Sequence, residues 1–124
     1  NPSFPIARAL VASGHRVHYL CREQMREAIE DTGAVFHSEM AVESELYAGR
    51  EPDVLGATAT LKKEFGMENE SIVNAMFMLR NIQREMMLPG VTRWLRSLGA
   101  HAVAYCPLSS TEAVIAAAAL GIPS

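Results

Sequence analysis

Cysteine is scarce in this chain. Cys21 and Cys106 are the only two among 124 residues. They are too few and too far apart in sequence for a disulfide framework or a zinc site, and a reducing, cytosolic setting is the default that follows. No apolar run approaches the roughly 18 residues of a membrane span. No initiator Met, basic leader or signal-like segment opens the sequence. Neither sign of charge dominates. The net charge of -3 and a pI near 5.8 argue against a nucleic-acid partner or an anionic membrane surface. No G-x-G-x-x-G and no P-loop occurs, so the usual sequence signals for a nucleotide cradle are missing. There is no internal repeat, linker or low-complexity stretch beyond the run Ala116 to Ala119, which suits a helix.

What the chain does have is apolar residues in short, punctuated runs. Hydrophobic residues make up 49% and charged ones 20%, the balance of a globular protein. Ser3 suits a helix cap, because Pro5 then falls in the first turn, where its missing N–H costs nothing. Ile6, Ala7, Leu10 and Val11 recur at helical spacing and Gly14 stops the helix. Val17 to Cys21 reads as a short buried strand. A helix from about Arg22 to Asp31 carries Met25, Ala28 and Ile29 on one face, and Gly33 ends it. Ala34 to Phe36 reads as a second strand. Strand, helix and strand with tight connections predict a parallel βαβ unit.

The centre is less regular. Residues 37–52 are polar and acidic, with Glu39, Glu43 and Glu45, and read as a loop or as a loop with one helical turn. Asp53 is placed to cap a helix with Val54, Leu55, Leu61 and Phe65, ending at Gly66. The strongest helix runs from Ser71 to Leu88 on a stripe of Ile72, Met76, Leu79, Ile82 and Met86. Pro89-Gly90 breaks it. A shorter helix, Val91 to Leu98, turns Trp94, Leu95 and Leu98 inward and stops at Gly99. Ala102 to Tyr105 reads as a third buried strand. Ser109 and Glu112 have capping-box spacing and open a helix that reaches Leu120.

Alternating strands and helices predict an α/β sandwich around a Rossmann-like parallel sheet flanked by helices. Ligands of such folds sit beyond the carboxyl ends of the strands. Those ends are Cys21-Arg22, His37-Ser38 and Cys106-Pro107, and the segment at Asn1 joins them. The chain opens at a helix start and closes on Gly121-Ile122-Pro123-Ser124, a helix stop leading into strand-like residues. Residues 1–124 therefore read as the middle of a larger domain.

Asn1-Pro2-Ser3-Phe4-Pro5 with Ala7-Arg8-Ala9-Leu10, followed by Gly14-His15-Arg16-Val17, resembles the start of UDP-sugar-dependent glycosyltransferases of the GT-B fold. The likeness is greatest to the macrolide-type and plant-type branch. Members typically read G-H-x-N-P, then a helix, then G-H-x-V into the second strand. Ala102 to Ser109, followed by Ala118-Ala119-Leu120-Gly121-Ile122-Pro123, resembles a later block of the same acceptor domain. The resemblance covers about a third of the chain. Residues 39–90 match in helical character alone.

The resemblance implies a partial N-terminal, acceptor-binding lobe of a GT-B enzyme, lacking its first strand and its C-terminal nucleotide-sugar domain. The implied activity is inverting transfer of a hexose from a UDP-sugar to a hydroxyl of a small lipophilic acceptor. UDP-sugar is then a co-substrate, and no further cofactor or metal is implied. The acceptor hydroxyl needs a general base, and an aspartate orients that base and stabilises its charged form. The resemblance puts the base histidine two positions before Asn1. Cys106 fills the aspartate position, and a neutral thiol cannot hold an imidazolium as a carboxylate does. Another carboxylate in use, an impaired enzyme and a misaligned block each account for that. A non-catalytic relative that retains the fold is the alternative function. The implied acceptor-binding residues are Asn1, Phe4, Met78, Cys106 and Ser109.

Each singled-out residue also has a plainer role. His15 follows a helix stop, His18 suits a packed or hydrogen-bonded position in a strand, and His101 should be solvated. His37, at a strand end, is open to a site role. Cys21 and Cys106 suit buried thiols acting as small apolar groups. In the implied topology two strand spacings, about 10 Å, separate them, too far for a bridge. Met76 and Met86 belong to the core stripe, and Met78 lies off it. Ser109 serves as a cap first. The acidic run from Glu39 to Glu45 is a solvated loop.

Overall fold

The computed structural model describes residues 2–42, 62–107 and 110–124. In chain order the elements are α1 (Phe4–Ala12), β1 (His18–Cys21), a 3-10 turn (Glu23–Met25), α2 (Arg26–Glu30), β2 (Val35–Ser38), α3 (Glu39–Val42), α4 (Ile72–Leu98) and α5 (Thr111–Leu120). Two compact units divide the chain, Asn1–Ala41 and Val42–Ser124. The fold is mixed α/β with a parallel sheet of two strands among the described residues.

The first unit is the βαβ arrangement that the punctuated apolar runs predict. Pro5 occupies the first turn of α1, where no intrahelical donor is needed. Ser3 stands at the N-cap position, but its hydroxyl bonds the Tyr19 hydroxyl and caps no backbone N–H. Gly14 and Gly33 both close helical segments at φ 86°. β1 and β2 pair in parallel, His18 with Val35 and Cys21 with Ser38, and the Val35 N–H donates to the Val17 carbonyl at 2.8 Å. The expected second strand is thus longer than its apolar letters. His37 and Ser38 continue it because the backbone ladder, indifferent to side-chain polarity, still has Leu20 and Cys21 opposite. The helix expected over residues 22–31 is split, with a 3-10 turn before α2.

One face of the ribbon carries the core. Ile29, Ala34 and Phe36 are buried together, with Phe4, Val17, Tyr19, Cys21 and Met25 packed against them. α1 contributes Phe4 and α2 contributes Ile29, so both helices serve the same face. The Phe4 and Tyr19 rings meet tilted at 6.2 Å between centroids, and Arg26 lies over Phe36 at 4.3 Å. Arg8 pairs with Asp31, tying α1 to the end of α2. Within α1, Ala7 is buried and Val11 half-buried, whereas Ile6 and Leu10 are exposed. Residues alternate in direction along a strand, so His18, Leu20, Val35 and His37 share the opposite face. They take no part in that core.

The second unit departs further from expectation. α4 runs unbroken for 27 residues with Pro89 inside it. Proline in a helix interior costs about 3 kcal/mol, so something must offset it. Met87, Gly90, Val91 and Leu95 are buried at that point, and α4 packs on α5, whose Ala116 and Ala117 are fully buried. Burial of this face against a small-residue helix outweighs the local break. It also reassigns the inward stripe. Ile72 and Met86 are exposed, and Met87 is buried. The side chains of Met76 and Leu79 lie outside the description. Val73, Phe77 and Met78 are apolar too, so the sequence offers several stripes and the partner helix selects one. Ser71 caps α4 by accepting from the Asn74 N–H at 3.1 Å, and Gly99 ends it at φ 60°.

Residues 102–105 form no strand. A strand exists only with a partner for its ladder, and among the described residues this segment has a single such bond, from the Val103 N–H to the Pro123 carbonyl at 2.9 Å. Tyr105 is exposed and Val103 half-buried. The segment expected as a third buried strand is therefore a loop. α5 starts at Thr111 with Ser110 at the N-cap and no side-chain cap bond, so Glu112 stands one position short of a capping-box partner. Ser109 lies outside the described residues, as does most of the expected helix after Asp53. Residues 62–64 of that helix are helical, and Gly66 has the expected positive φ of 66°.

Candidate functional site

The strand register brings two histidines together. His18 opens β1 and His37 is the third residue of β2, two levels further along. Both project from the face opposite the Phe36 core. A diagonal neighbour at that offset is within reach of a long or aromatic side chain. His18 Nδ1 and His37 Nε2 stand 2.8 Å apart in a hydrogen bond, and the ring centroids are 5.1 Å apart at 43°. Both side chains are half-buried. One imidazole must donate its N–H while the other accepts, so the pair has at least one neutral ring.

Electrostatics favour two neutral rings. Burial holds the His18 pKa below the ordinary histidine value, and the nearby positive charge of Arg16 lowers it further. Burial does the same for His37, with charge on His18 as the second cause. Desolvation and a like charge both penalise the imidazolium. Two neutral imidazoles in contact can relay a proton between their outer nitrogens. With the bonding proton moved to an outer nitrogen, they present two lone pairs toward one point.

The carboxyl ends of β1 and β2 lie level, Cys21 beside Ser38. The Ser38 hydroxyl accepts from the Met40 N–H at 3.3 Å, turning the chain directly into α3. Cys21 belongs to the core face. No helix of the described residues is long and apolar enough to cross a membrane. Among the described residues no group of three or more His, Cys, Asp and Glu is arranged to hold a metal ion.

Of the residues implied by the family resemblance, Phe4 belongs to the first unit and Met78 and Cys106 to the second. Asn1 and Ser109 lie outside the described residues. Phe4 is half-buried in the first unit's core, packed on Tyr19. Met78 is exposed on α4. Cys106 is exposed in the loop after residues 102–105 and forms no disulfide, which corrects its reading as a buried thiol. The expected buried strand before it does not form, and that strand would have carried the thiol inward. His101 is exposed, as expected.

The sequence marks His18 as packed or hydrogen-bonded but does not identify its partner. The signal available is alternation. Once Val35-Phe36-His37-Ser38 is read as one strand, His37 falls on the face of Val35, and the parallel pairing brings it to His18. Comparison with known proteins adds no family: no protein-family model, no curated protein and no solved structure matches this chain.

Proposed function

We propose that these residues form part of the acceptor-binding lobe of a UDP-sugar-dependent glycosyltransferase. The enzyme transfers a hexose, with inversion, to a hydroxyl of a small lipophilic acceptor in the cytoplasm. The finer fold in this reading is a Rossmann-like lobe of a GT-B enzyme. One observation supports it most. The parallel β1–α2–β2 crossover follows directly on Gly14-His15-Arg16-Val17, where the resemblance requires a strand, a helix and a strand. The carboxyl ends of both strands are level, the edge at which such folds take ligands. Phe77 and Met78 expose apolar surface on α4, of the kind a lipophilic acceptor contacts.

In this reading an imidazole ahead of Asn1 takes the acceptor proton as the hydroxyl oxygen attacks the anomeric carbon and UDP departs. The second reading, a relative that binds but does not transfer, is favoured by Cys106. It stands where a carboxylate would orient that imidazole, and it is exposed in a loop.

The residues preceding Asn1 in the intact reading frame separate the two. Gly-His-x directly ahead of Asn1 supports the transferase, because it completes the base motif. Any other pair leaves no base at that position and supports the binding protein.

A further inference from the structure

We propose that His18 and His37 form a seat for a single borderline divalent ion, of the class Zn²⁺, Cu²⁺ or Ni²⁺, on the outer face of the sheet. His18 Nδ1 and His37 Nε2 already point at each other across 2.8 Å. Two metal–nitrogen bonds of about 2.0 Å at a tetrahedral angle need a nitrogen–nitrogen separation of about 3.3 Å. The pair must open by about half an ångström, and histidine χ2 is broad enough to allow it. The backbone is held meanwhile by the parallel ladder, in which His18 faces Val35 and His37 faces Leu20.

Binding requires one tautomer change and no redox step. The bonding proton leaves the shared position for the outer nitrogen of the donor ring, and both inner lone pairs then go to the ion. Water or an oxygen ligand from a bound molecule fills the remaining positions. The donor set selects the ion. Imidazole nitrogens suit zinc, copper and nickel, whereas the one neighbouring thiol, Cys21, belongs to the opposite, core face. Among the described residues no third His, Cys, Asp or Glu joins the pair as a ligand, so the seat offers a hard ion no carboxylate set. Arg16 works against the seat, since its charge is felt at His18. Its side chain is exposed, so solvent and salt screen the repulsion.

The experiment titrates the 124-residue chain with Zn²⁺, read by the imidazole ¹⁵N resonances, and with Cu²⁺, read by electron paramagnetic resonance. The expected result is perturbation of the His18 and His37 rings together, and coupling of copper to two nitrogens. His18→Gln and His37→Gln each weaken binding by about tenfold or more, and His101→Gln leaves it unchanged. Arg16→Ala tightens binding at low ionic strength, with the gain shrinking as salt is added. The copper spectrum of the unaltered chain decides the matter even where a histidine variant does not fold. Coupling to one nitrogen, no binding at all, or perturbation centred on His15 or His101 overturns the proposal.

Discussion

Gly33 provides the sharpest test of how the first unit is packed. Its φ is 86°, and a Cβ built there would lie 2.9 Å from Val11 Cγ1. Two separate costs meet in Gly33→Ala. The left-handed backbone costs a non-glycine residue about 1–2 kcal/mol. Forcing a methyl against Val11, on the C-terminal turn of α1, adds about 1–3 kcal/mol of overpacking. We expect a loss of about 3 kcal/mol from the two together. The Val35 amide is the reporter, because its bond to the Val17 carbonyl closes the β1–β2 ladder at the level of the turn. Its hydrogen-exchange protection should fall by about a hundredfold, taking about 1.4 kcal/mol per decade. Val11→Ala removes the clashing methyls but not the backbone strain, so the double variant should recover about 1–2 kcal/mol relative to additivity. Gly33→Asn separates the costs from the other side, since Asn tolerates the left-handed region yet still carries a Cβ. Unchanged Val35 exchange in Gly33→Ala, or strict additivity with Val11→Ala, refutes the packing of α1 on the turn after α2.

Three further outcomes follow from particular residues. Both His18 and His37 have folded-state pKa values below the ordinary histidine value of about 6.5, so the unfolded chain binds more protons as pH falls. The stability of the first unit is therefore fully present above that value and declines as pH drops through it toward the folded values. Denaturation between pH 8 and 5 with a chelator present should show this, with the slope reduced in His37→Gln; a flat profile speaks against the pair. Pro89→Ala restores a helical donor without demanding any rearrangement, so it should stabilise the second unit by up to about 3 kcal/mol with helix content unchanged. A gain in helix content by circular dichroism would mean that α4 is broken at Pro89. Leu95→Ala should cost about 2–5 kcal/mol, and Met86→Ala within about 0.5 kcal/mol, because Leu95 is buried and Met86 exposed. Trp94, the single tryptophan, reports both unfolding transitions by fluorescence.

The parts of the fold legible in sequence are those determined by local signals. Gly14 and Gly33 stop helices where a positive φ is needed, and the run from Val17 to Cys21 between them holds the expected strand, half-buried rather than buried. The illegible parts are those determined by partners. Ala102 to Tyr105 has the composition of a strand, but β structure is a property of a pair, and among the described residues its ladder reduces to one bond with Pro123. Pro89-Gly90 is a strong local break that loses to the packing of α4 on α5. The apolar residues of α4 surround it too fully for periodicity to choose the buried face, which Ala116 and Ala117 of the partner helix decide. The histidine pair lies between these cases. Its two members are 19 residues apart, and their meeting depends on a strand that continues two residues beyond its apolar letters.

The proposed sugar transfer can be measured on the product of the intact reading frame containing these residues. That protein, incubated with a panel of UDP-hexoses and small lipophilic alcohols and phenols, should release UDP in step with a glycoside. Nuclear magnetic resonance should find the glycoside's anomeric configuration opposite to that of the donor. Folded protein that yields no glycoside from any donor, or a glycoside that keeps the donor's configuration, contradicts it.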